Sequence, residues 1–155
     1  MMIDVKFECK ESFKTKEIKN FVEKSISRTL EMIKNDTVKI YVSVFLTNNK
    51  EIRKINSKFR NVDKETNVLS FPLNEQRMIL NFENYLLLGD IVISLEKILS
   101  ESKEQEKSFF NHLLHMIVHS ILHLFGYDHK NQIDADKMEE KEKYLIKKLK
   151  KEIKF

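Results

Sequence analysis

With a single cysteine, Cys9, this chain cannot close an intramolecular disulfide, so a core stapled by such bridges is excluded. No apolar segment of signal-peptide type opens it either, because apolar and charged residues alternate through MMIDVKFECKE. Long hydrophobic runs are also missing. Stretches such as Leu86 to Leu88 and Met116 to Val118 fall far short of a bilayer span. These absences lead us to expect a reducing, cytoplasmic setting and no membrane partner. Glycine and proline are scarce, with two glycines and one proline, and no Pro/Gly/Ser-rich linker, repeat or low-complexity tract divides the chain. A length of 155 residues with 41% hydrophobic content suits one core and is too short for two ordinary ones, so residues 1–155 are expected to form a single domain.

Charge is plentiful. The 28 Lys+Arg against 24 Asp+Glu leave +4, and a pI near 9.0 favours a polyanionic partner. Much of the positive charge, including Lys147, Lys148, Lys150 and Lys151, reads as a solvated helix face, so charge alone does not identify nucleic acid.

Periodicity organises the rest. Ile3, Val5, Phe7 and Cys9 alternate with polar residues as in a half-buried strand. Ile18, Phe21, Val22, Ile26, Leu30 and Ile33 follow helical spacing, with Thr15 expected to cap the start. Val38 to Val44 predicts a second strand, and Ile52, Ile55 and Phe59 a short helix after Thr47. Further strands are expected at Asn67 to Phe71, stopped by Pro72, and at Gly89 to Ser94, opened by its glycine. From Ser94 the chain reads as helical, with a break near Ser108, a long helix to about Phe125 and a last helix from about Asp134 to Lys151. Strands early and helices late give an α+β arrangement around a small, mixed sheet.

All five histidines fall between His112 and His129. His119 and His123 are four apart on a predicted helix, so both imidazoles leave one face a turn apart and can grip one ion; Gly126 then permits the turn that returns His129. His115 extends the stripe. Eight residues of helix rise about 12 Å, too far for His115 and His123 to share an ion with ligand distances of about 2 Å. We therefore assign the metal to His119, His123 and His129, and leave His115 in the core or behind the ligands. Three neutral nitrogens leave a fourth position for water, the arrangement of catalytic rather than structural sites, and they favour one Zn²⁺ over Mg²⁺.

The offsets H-x-x-x-H-x-x-G-x-x-H are also those of metzincin peptidases, in which Glu follows the first histidine as general base. Here Ser120 stands there, and its hydroxyl cannot take a proton at neutral pH. The metal grip remains without the peptidase base.

Four blocks together carry a resemblance. They are Asn56-Ser-Lys-Phe-Arg60-Asn-Val-Asp63, Thr66-Asn67-Val-Leu-Ser70-Phe-Pro72, Leu88-Gly-Asp-Ile-Val-Ile-Ser94 and His119-Ser-Ile-Leu-His123-Leu-Phe-Gly126-Tyr-Asp-His129. In this order they resemble the signatures of the YbeY endoribonucleases, bacterial rRNA maturation factors. Ser120 replaces a family glycine, and Glu65 stands where a small residue or proline is more usual. The resemblance implies a zincin-like α+β fold, a sheet of about four strands flanked by helices, and action on single-stranded RNA of the small ribosomal subunit. It also implies a role for Arg60, whose guanidinium can pair bidentately with phosphate and steady charge there. Thr66, Asn67 and Ser70 are candidates for binding substrate at a strand end, with local turn formation as the other use. Asp128 is assigned either to orienting a histidine ring or to capping the turn after Gly126. Tyr127 and Phe71 are assigned first to packing and only second to base stacking. Two routes of RNA cleavage stay open, attack by activated water or by the RNA 2′-OH. Besides the metallopeptidase, the other alternative is a non-catalytic ribosome assembly factor that uses the metal for stability.

Overall fold

Alternation along the strands assigns each side chain to one of two faces. In β2 (Lys39–Thr47), Ile40, Val42, Val44 and Leu46 are buried on one side, while Phe45 packs on the other. The first side joins α1 (Thr15–Ile33) and α4 (Phe109–Leu124) in the main core. The second carries a smaller cluster of Ile52, Leu69 and Val92 beneath α2 (Asn49–Arg60). The computed structural model describes residues 2–9, 13–33, 39–73, 79–80 and 85–155. The expected start of the second strand at Val38 lies outside them.

The remaining elements are β1 (Met2–Phe7), β3 (Val68–Pro72), β4 (Ile79–Leu80), β5 (Tyr85–Ser94), α3 (Leu95–Glu104) and α5 (Gln132–Glu152). The sheet runs β1-β2-β5-β3, with the two-residue β4 also paired to β5. β1, β2 and β5 are parallel, whereas β3 and β4 run antiparallel to β5, so the sheet is mixed as expected. The arrangement is α+β, a four-strand path with a short fifth strand, flanked by five helices. No helix among the described residues is long and apolar enough to cross a membrane.

α4 is apolar nearly all round because it lies between α1, α3, α5 and the sheet. Leu113, Leu114, Ile117 and Ile121 are fully buried, each contributing roughly 1.5–3 kcal/mol relative to exposure. Ser108 starts the helix by accepting from the Asn111 N–H at 3.1 Å, which explains the break read there. Asn131 caps α5 in the same way.

Two local expectations are corrected. Thr15 begins α1, but its hydroxyl meets the Phe13 carbonyl at 3.5 Å and caps no helix N–H. Gly89 lies inside β5 and does not open it. The β2–β5 register shifts by a residue there, between the pairs Tyr41/Leu87 and Val42/Gly89. A Cβ at Gly89 would stand 2.5 Å from the Phe71 carbonyl oxygen and 2.8 Å from Leu124 Cδ2, at φ +149°. The glycine serves a close approach of β3 and α4 to a bulged strand.

Candidate metal centre

Helical spacing brings His119 and His123 onto one face of α4, with ring centroids 4.5 Å apart. The helix ends at Leu124, and Gly126 at φ +96° turns the chain, where no atom of the described residues would crowd an added Cβ. This turn returns His129, whose ring lies 5.7 Å from His119 and 4.9 Å from His123. One nitrogen from each ring falls within 4.8 Å of the others, so the three residues could hold a metal ion.

The donor set fits such an ion. Nε2 of His119 and Nε2 of His123 are 3.0 Å apart, close to the roughly 3.3 Å between two nitrogens sharing a tetrahedral zinc. His129, half exposed, has freedom to close the third side. Burial, followed by the neighbouring His119 and His129, pushes the His123 pKa below its ordinary value and keeps it the neutral ligand a metal requires.

Behind the ligands stands a carboxylate that the sequence reading missed. Glu142 of α5, 8% exposed, hydrogen-bonds Nδ1 of His119 through Oε1 and meets Nε2 of His115 through Oε2 at 3.2 Å. Burial alone would raise its pKa, but hydrogen bonds from His115 and His119 outweigh it and bring the carboxyl to about 2. An ionised Glu142 accepts the Nδ1 proton of His119, which leaves the Nε2 lone pair facing His123. Glu142 was hidden among Glu139, Glu140 and the lysines of a helix that reads as solvated, and no periodicity links it to the histidines. His115 therefore lies behind the cluster, sharing the same carboxylate.

A cleft of about 600 Å³ opens over the three histidines and reaches Arg60, Asn67, Ser70, Tyr127 and Asp128. Arg60 ends α2, and its Nη2 donates to the Ser70 carbonyl at 2.6 Å. Asn67 borders the cleft, but its amide donates to Glu101 Oε1 at 3.0 Å, the oxygen that also meets Nε2 of buried His112 at 2.9 Å. That network was also absent from the sequence reading. Thr66 is half-buried and does not line the cleft. Asp128 accepts the His129 backbone N–H at 2.7 Å and stands 3.9 Å from His129 Nδ1, within reach of both the turn and the ring. Ser120 is fully buried, its hydroxyl donating to the Met116 carbonyl at 2.7 Å, so the position of the peptidase base points away from the cleft. Among the described residues lining the cleft, Asp128 is the only carboxylate.

A family model described as Endoribonuclease YbeY matches residues 4–150. A protein named Endoribonuclease YbeY from Bartonella bacilliformis is 43% identical over 127 residues, covering 82% of this chain and 79% of its own. Its namesake from Bartonella quintana is 38% identical over 147 residues, covering 95% and 92%. The solution structure of TM1509 from Thermotoga maritima superposes with a TM-score of 0.63 at 28% identity, covering 97% of this chain and 91% of that one.

Proposed function

The chain belongs to the YbeY endoribonuclease family, and on that premise we propose that it is a zinc-dependent endoribonuclease that cuts single-stranded RNA. Its substrate in the cell is rRNA of the small ribosomal subunit, and the setting is the cytoplasm. The observation that carries this reading is the facing of the three-imidazole cluster and Arg60 across one cleft.

His119, His123 and His129 would hold the ion, and once bound it would supply Lewis acidity that lowers the pKa of water and offsets phosphoryl charge. Glu142 fixes the ring of His119, so the ligand needs no reorientation when substrate arrives. Arg60 anchors one guanidinium nitrogen on the Ser70 carbonyl and keeps its other N–H donors for a phosphate, where they bind and steady charge as it develops. The Asn67 amide is held by Glu101, which leaves its carbonyl oxygen and the Ser70 hydroxyl as the neutral polar groups for ribose or base edges. The peptidase alternative lacks its carboxylate twice over, in residue type and in the direction of Ser120.

The test is cleavage of single-stranded RNA by purified protein with and without chelator, beside an unfolded casein-like polypeptide. RNA should be cut only without chelator, the polypeptide should stay intact, and the rate should fall steeply with salt. His123→Ala should lose the ion that His115→Ala retains. Peptide cleavage without RNA cleavage would return the metzincin reading. Inactivity on both, with direct binding to small-subunit components, would establish the assembly factor.

A further inference from the structure

Arg60 borders the histidine cleft, and the Phe71 ring it lies against lines a second hollow. β3 ends the strand order, and its alternation turns Ser70 toward the histidine cleft and Phe71 to the opposite face, beneath α2. Arg60 spans that edge, with Nη2 on the Ser70 carbonyl and its guanidinium carbon 5.2 Å from the centre of the Phe71 ring. On the far side, Phe59 is 63% exposed and meets Phe71 edge-on, with centroids 5.8 Å apart. Lys58 Nζ stands 5.3 Å from the Phe59 ring. Below lies the second hollow, about 680 Å³, with Phe45, Ile55 and Val92 among its apolar lining and Asp90 and Ser43 among its polar groups.

A lone exposed phenyl ring ordinarily signifies nothing. This one ends an aromatic pair, has a cation at each ring, and joins the cleft through Arg60 itself. The hollow beside it is poor for phosphate, since Asp4, Glu8 and Asp90 outnumber Lys6 along its border, but suits a heterocycle. A nucleobase offers a flat face to aromatic rings and N–H donors to carboxylates. Lys58, displaced from the ring by a stacked base, is left free for a flanking phosphate.

We propose that Phe59, backed by Phe71, is a nucleobase platform: the RNA phosphate is held at Arg60 on the cleft side, and the adjoining base turns over the β3 edge to stack on Phe59. This rests on the endoribonuclease reading above and adds where an unpaired base goes. A paired base cannot turn out in this way without breaking its duplex, so the platform selects single strands; stacking on a ring face is sequence-tolerant, so it selects little else.

The test measures kcat and KM of metal-loaded protein on a single-stranded oligoribonucleotide. A parallel set carries one abasic nucleotide moved stepwise past the cleavage point. Phe59→Ala and Phe59→Leu should raise KM about tenfold, as expected for loss of one stacked base, with melting temperature and metal content unchanged. Phe59→Trp should keep the wild-type KM. In the wild type one abasic register should reproduce the tenfold rise, and in Phe59→Ala that register should cost nothing further. The platform is overturned if Phe59→Leu behaves as wild type, or if the abasic penalty persists undiminished in Phe59→Ala. Because the abasic series also runs on the wild type, with Phe59→Trp beside it, an Ala variant that fails to fold does not spare the proposal. Wild-type protein that cuts no RNA would remove the endoribonuclease reading itself, whereas cutting with an unchanged KM in Phe59→Ala removes the platform alone.

Discussion

Glu142 of α5 is hydrogen-bonded to Nδ1 of His119 on α4, twenty-three positions earlier in the chain. The bond joins the packing of two helices to the chemistry of the cleft, because it decides which ring nitrogen of His119 faces the other histidines.

Glu142→Gln should therefore weaken zinc affinity by about 10–100-fold while leaving the three ligands in place. The amide keeps the shape but loses the charge that holds the Nδ1 proton. Competition with a chromophoric chelator measures it, and activity should return at high zinc. Wild-type affinity in this variant would reduce Glu142 to a packing residue.

Arg60→Ala should lower kcat with metal content unchanged, since among the described residues the guanidinium bonds only the Ser70 carbonyl and lies against Phe71. Losing that charge-assisted hydrogen bond should cost no more than about 3 kcal/mol of stability. Arg60→Lys should rescue partly, for lack of a planar fork. Global unfolding of Arg60→Ala in a thermal melt would make the residue structural.

The two glycines should respond differently to alanine. At Gly89 the new methyl meets the Phe71 carbonyl and Leu124, so Gly89→Ala should cost about 3 kcal/mol or more. At Gly126 nothing among the described residues lies within 4 Å, and only the positive φ is penalised, by roughly 1–2 kcal/mol. Urea midpoints of the two variants test the order, and a costlier Gly126→Ala would refute it.

Cys9 donates its S–H to the Thr47 carbonyl at 2.9 Å, and its pKa is pushed up to about 12, first by burial and then by Glu96 and Glu8. Alkylation by iodoacetamide at pH 8 should be at least about tenfold slower than in unfolded protein. Because the folded pKa is raised, this thiol's contribution to stability is complete below about pH 9 and is lost as pH rises from 9 towards 12. Equal alkylation rates in the folded and urea-unfolded protein would contradict the shift.

Much of this architecture follows from local pattern. Period-two apolar residues in β2 and the 3.6-period stripe of α1 need only their own neighbours to declare a buried face. The pair His119 and His123 is equally local, because four residues of helix fix their separation wherever the helix lies. Gly126 and His129 follow within a single turn.

What only the tertiary structure decided depends on contacts between distant segments. Glu142 is one of several acids on a charged helix until α5 packs on α4 and turns that one carboxylate inward. Gly89 reads as a strand opener until β3 and Leu124 close on it from outside its own strand. Arg60 and Phe59 are adjacent in sequence, yet only the edge position of β3 sends one to the cleft and leaves the other beside the opposite hollow. Periodicity records which face of an element is buried; which residue lies across from it is set by the packing of elements whose separation in sequence carries no such signal.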